Sequence, residues 1–124
     1  MKQAIRFSQL SPSRQALVRL CQDINFGSIQ NLTVSNGEVK FDPLPEVIVD
    51  LRLDEEAEPR SELELDDFSL RPQVCRLFAE IDTLANGIIE KLVVYAGLPS
   101  RITLRRPLSQ PLQQRSPEFG RGKQ

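Results

Sequence analysis

Between Ala16 and Ile24 the apolar residues Ala16, Leu17, Leu20, Cys21 and Ile24 recur at three- and four-residue spacing, which places them on one face of a helix. Ser11-Pro12 marks the start, because Ser accepts a hydrogen bond from an orphan N–H and Pro at the first helical position loses no needed donor. Gly27 is expected to stop it, in the left-handed conformation of a C-cap. From Ile29 the period falls to two, with Leu32 and Val34 on one side and Thr33 and Ser35 on the other. Asn36-Gly37 is the dipeptide of a two-residue type I′ hairpin. That turn sets Val34 opposite Val39 and Leu32 opposite Phe41, so all four share a face. After Asp42-Pro43-Leu44-Pro45, a third strand is predicted over 47–53, with Val47, Val49, Leu51 and Leu53 inside.

The pattern then recurs. A second helix opens near Ser69 with Pro72 in its first turn, carries Val74, Leu77, Phe78, Ile81 and Leu84 on one face, and ends at Asn86-Gly87. Its hairpin joins 88–95 to 99–105 through Ala96-Gly97-Leu98, with Ile102 opposite Leu92 on the core face. Pro99 implies either that the return strand lies at a sheet edge or that it begins later than residue 99. At an offset of sixty, Pro12/Pro72, Leu17/Leu77, Gly27/Gly87, Ile29/Ile89, Leu32/Leu92, Val34/Val94 and Gly37/Gly97 are identical, seven of 26 positions over 12–37 and 72–97. They fall at a helix start, a core stripe, a helix end, strand interiors and a turn, where geometry narrows the choice of residue. The predicted fold is α+β: two helix–hairpin pseudo-repeats forming an antiparallel sheet, two helices packed on one face, and a pseudo-twofold axis between the copies.

One domain is expected over 1–106: repeat one about 11–53, an acidic connection over 54–67, and repeat two about 69–106. Residues 54–67 hold eight carboxylates against Arg60 alone, a net of −7, and Leu63 and Leu65 alternate with acids as in an edge strand. Residues 105–124 carry five basic residues against Glu118, and 107–124 is expected to be a disordered Pro- and Gln-rich tail. The overall charge of −1 thus hides an acidic middle and a basic end. Hydrophobic residues at 40% and charged residues at 27% are ordinary for a globular chain. No apolar run approaches the ~20 residues of a membrane span, and the N-terminal residues Met1–Ser8 hold no apolar signal core, so a cytoplasmic protein without membrane contact is expected.

Cys21-Gln22-Asp23-Ile24-Asn25-Phe26-Gly27-Ser28-Ile29, followed by a strand, Asn36-Gly37, Val39 and Phe41, resembles the small YezD-like bacterial proteins. The likeness covers about residues 14–42, with a degenerate second copy at about 72–104. It implies the helix, the aromatic-Gly-Ser-aliphatic step and the hairpin. It supplies no site, and the family is functionally uncharacterised. This chain departs from it by a longer first strand, by Pro43 and Pro45, and by a second copy without the Phe-Gly-Ser step.

Chemistry is sparse. There is no His, which removes the commonest general base and metal ligand, and the chain has four Lys residues (Lys2, Lys40, Lys91, Lys123). Cys21 and Cys75 sit on apolar helix faces and read as buried, reduced thiols. No Gly-rich phosphate loop or zinc spacing is present, and the acidic run lacks the pattern of a calcium loop. No enzyme, cofactor or metal site is therefore expected. The leading expectation is a protein-interaction or structural module, self-associating or docking on a protein partner, with Phe26 and Tyr95 as candidate contacts. Phe26 either packs over the hairpin or stands as an exposed anchor. The alternative is a nucleic-acid-associated regulator using Arg101, Arg105, Arg106, Arg115, Arg121 and Lys123.

Overall fold

A computed structural model of the chain describes residues 6–54 and 67–106. Its order is a short 3-10 turn (Phe7–Gln9), α1 (Pro12–Ile24), β1 (Phe26–Ser35), β2 (Glu38–Lys40), β3 (Glu46–Val49), α2 (Pro72–Leu84), β4 (Gly87–Tyr95) and β5 (Leu98–Arg105). Five strands make one antiparallel sheet in the order β2-β1-β4-β5, with β3 pairing the other half of β1's outer border. The fold class is α+β.

Each helix begins at a proline. Ser11 caps α1 through its side chain, which accepts from the Arg14 N–H, whereas Arg71 at the same place before α2 gives no side-chain cap. β1 and β4 form the centre of the sheet, with Ile29 opposite Leu92 and Leu32 opposite Ile89, all four fully buried. Leu17, Cys21 and Ile81 press onto them from the helices, so one cluster contains residues of both helices and of the inner sheet face. Burying a side chain of this kind contributes about 1.5–3 kcal/mol, which is why the two central strands hold the rest in place.

Val34 pairs with Val39, and Leu92 with Ile102, as the alternation requires. Four details differ from expectation. Gly27 does not cap α1: Asn25 takes the positive φ of 66°, and β1 has already begun at Phe26. What Gly27 provides is clearance, since a Cβ there would stand 2.0 Å from the Ile48 carbonyl oxygen. The third strand is shorter than 47–53, and Val47, Val49, Leu51 and Leu53 are exposed rather than inside. Alternation shows which side chains share a face, not whether a helix lies over that face. In the second hairpin the turn is two residues, with Tyr95 paired to Leu98, and a bulge between Val93 and Val94 restores the Leu92–Ile102 register. Cys75 is half-buried rather than buried. No described helix is long and apolar enough to cross a membrane. The expected edge strand around Leu63 and Leu65 and the expected tail over 107–124 lie outside the described residues.

Candidate interaction surface

The helices cover one face of the sheet, and the positions between the core residues form the other. Phe26 and Tyr95 stand opposite each other there on β1 and β4, their rings edge-to-face at 5.2 Å. They are 38% and 66% exposed, so they shield each other only partly. Phe26 therefore does not pack over the hairpin core; it stands on the outer face. Next along the same face, Ser28 is flanked by Val93 on β4 and by Ile48 on β3, the latter 42% exposed. Aromatic and aliphatic side chains thus run across three strands without a layer above them among the described residues.

Cations surround this strip. Arg101 pairs with Val93, Lys91 with Gln30 and Thr103, Lys40 with Thr33 and Arg105 with Ile88, so by register all four share the outer face. Glu46, opposite Gln30, is its counterweight on β3. Arg105 is also held by Glu90, Nε donating to a carboxylate oxygen at 2.6 Å. Arg106 follows, exposed, at the end of β5. The structure therefore brings together Phe26 and Tyr95, and lines up Arg101 and Arg105 along β5. Arg115, Arg121 and Lys123 lie outside the described residues. Ile48, Val93 and Lys91 belong to this surface and were not singled out from sequence. The signal was the strand alternation itself, followed on its outward rather than its inward side.

A second opening lies on the helical side. A cleft is lined by Leu17, Val18, Cys21 and Gln22 of α1, by Phe68–Arg71, by Val74 and Leu77 of α2, and by Gly97–Pro99. Its lining is mostly apolar. Burial pushes the Cys21 thiol up to about 12, so it is a neutral packing group at physiological pH and no nucleophile. Among the described residues no three His, Cys, Asp or Glu side chains converge as metal ligands. At the entry to α2, Asp67 accepts from Arg6 Nε at 2.7 Å and from the Ser8 N–H at 2.8 Å. Those two bonds, Arg6 first, hold its carboxyl down at about 2. Asp67 is a clasp between the chain's two entry segments and touches neither opening's chemistry.

No protein-family model, curated protein or solved structure matches this chain.

Proposed function

We propose that this protein is a non-enzymatic interaction module that docks a protein partner on the uncovered face of its sheet. The observation that carries this is the Phe26–Tyr95 pair, two large side chains held in fixed mutual orientation with Ile48 and Val93 beside them. Exposed aromatic anchors next to arginine are the composition of energetically dominant interface positions. The surrounding Lys40, Lys91 and Arg101 select a partner that presents an apolar anchor ringed by carboxylates. Two copies of this face would oppose like charges, so a different protein fits it better than a second copy.

The test is quantitative cross-linking in the source cells' extract at physiological salt, comparing the native chain with Phe26→Ser/Tyr95→Ser. The partner should be captured by the native chain and lost from the variant, while the variant keeps its Tm because both side chains are already half in water. Equal capture by both chains would remove the face from consideration. A salt-insensitive homodimer, seen by light scattering, would replace the outside partner with a second copy.

A second reading shares the same surface. Aromatic rings on adjacent strands of an open antiparallel sheet, with Arg101 and Lys91 beside them, are what stacking of single-stranded nucleic acid requires. Binding of a labelled single strand that weakens steeply with salt and is lost in Tyr95→Ser would favour it over the protein partner.

A further inference from the structure

β5 ends the sheet on its side among the described residues, so its outer border carries backbone donors and acceptors with no strand beside them. Pro99 has no N–H to give, and the register with β4 skips Ser100. The regular part of this border is therefore Arg101–Arg105. Arg101, Ile102 and Thr103 stand opposite Val93, Leu92 and Lys91, and Leu104 and Arg105 stand opposite Ile89 and Ile88.

The two sides of that stretch differ. Ile102 and Leu104 turn toward the helices and pack against the core, yet each stays partly open to solvent. Arg101, Thr103 and Arg105 are exposed on the other side. Arg105 has a carboxylate partner, Glu90, at 2.6 Å, whereas Arg101 has none among the described residues. An incoming strand completes this border in several ways at once. Its backbone pairs with the open border, its aliphatic side chains close over Ile102 and Leu104, and its carboxylates face Arg101 and Arg105. Because side chains alternate along a strand, acidic and aliphatic residues must alternate in the segment that docks. A slip by one residue would set carboxylates on the apolar side and aliphatics against the arginines. A second copy of β5 fails the requirement. Leu98–Arg105 holds no carboxylate, and placing Thr103 opposite itself sets Arg101 against Arg105. A nucleic-acid strand would meet the arginines but leave the backbone border and the aliphatic side unmatched.

We propose that the outer border of β5 is a docking site for an extended segment of a partner protein in which carboxylates alternate with aliphatic residues. The segment adds as a strand along Arg101–Arg105, its acids beside the arginines and its aliphatics beside Ile102 and Leu104. This site is separate from the Phe26–Tyr95 face and does not depend on what binds there.

Titration of the full-length chain with short capped peptides, followed residue by residue by NMR, tests it. The probes are an alternating Glu–Val peptide, its Lys–Val counterpart, and a peptide of the same Glu and Val content arranged in two blocks. At physiological salt the alternating Glu–Val peptide should bind and slow exchange of the β5 amides that point away from β4. It should bind about tenfold more tightly than either other peptide. Arg101→Glu, at an exposed position, should weaken it about fivefold and favour the Lys–Val peptide, with β1 and β4 amides as protected as before. Phe26→Ser/Tyr95→Ser should leave it unchanged, so a failure of this site and a failure of the aromatic face are read separately. No binding at about millimolar peptide overturns the proposal. Equal binding of the alternating and blocked peptides, unaltered β5 exchange, or an unchanged preference in Arg101→Glu overturns it too. Outward β5 amides already slow in the free chain also overturn it. If dilution does not change that rate the chain covers its own border, and if dilution speeds it a second copy does.

Discussion

Residues 11–40 and 71–99 each form a 13-residue helix followed by an antiparallel strand pair, with different chemistry at the helix starts. In the first, Arg14 donates to the Gly37 carbonyl at 2.7 Å, pairs with Asp82 and lies 5.0 Å over the Phe78 ring. Ser11 and Ser13 hydroxyls donate to Glu38 beside it, and the Ser13 bond above all holds that carboxyl below its ordinary range. Sixty residues on, Val74 stands where Arg14 does, Val18 where Phe78 does, Gln22 where Asp82 does and Leu98 where Glu38 does. There the helix end is an open apolar cleft instead of a closed polar network.

The largest test of this comparison is at the paired glycines. Ile48 O approaches a Cβ at position 27 to 2.0 Å, and Arg105 O approaches one at position 87 to 2.8 Å. Gly27→Ala should therefore destabilise by about 3 kcal/mol, at the upper end for an overpacked site, and displace β3. Gly87→Ala should cost about 1 kcal/mol, because its other close neighbour is the flexible Leu84 side chain. Urea unfolding of both variants reads the difference, and equal losses would mean that β3 yields as easily as β5.

Arg14→Ala sharpens the comparison of helix starts. Asp82 is 64% exposed, so its ion pair contributes little, and the loss comes mainly from Arg14's stem and its stacking on Phe78. The expected cost is about 1–2 kcal/mol. A cost near zero in urea unfolding would show that the filled and the open end are equivalent.

The smallest effect concerns acid stability. Asp67 is depressed to about 2 when folded, against about 3.9 in an unfolded chain. Its contribution is therefore complete above about pH 4 and fades as pH falls through about 2. Thermal scans of Asp67→Asn should fall below the native chain at pH 6 and converge with it near pH 2. A gap that persists at low pH would mean that the side chain acts by shape rather than charge.

Much of the architecture was legible in the chain. Three- and four-residue spacing ended by cap residues is a local signal, and both helices lie where it puts them. Asn36-Gly37 and the valines on either side fixed a register that the structure repeats. What was not legible depends on neighbours distant in sequence. Gly27 reads as a helix cap until Ile48 is known to pass over it. Val47 and Val49 read as core until the reach of the helices is known. The Phe26–Tyr95 contact joins residues 69 apart through the β1–β4 pairing, which no local pattern states. The bulge before Tyr95 cancelled an error in turn length, so the Leu92–Ile102 pairing was anticipated for a partly mistaken reason.

The two borders of the sheet are unequal in a way that limits assembly. On the β1 side the border is two short strands, three and four residues long, separated by a stretch holding Pro43 and Pro45. Such a broken border is a poor template for another chain. On the other side runs the eight-residue β5. A body with one usable border can accept a single addition and then has nowhere left to grow. Among the described residues, edge-to-edge association would therefore terminate after one step, a valence of one where a sheet with two good borders would propagate into fibres.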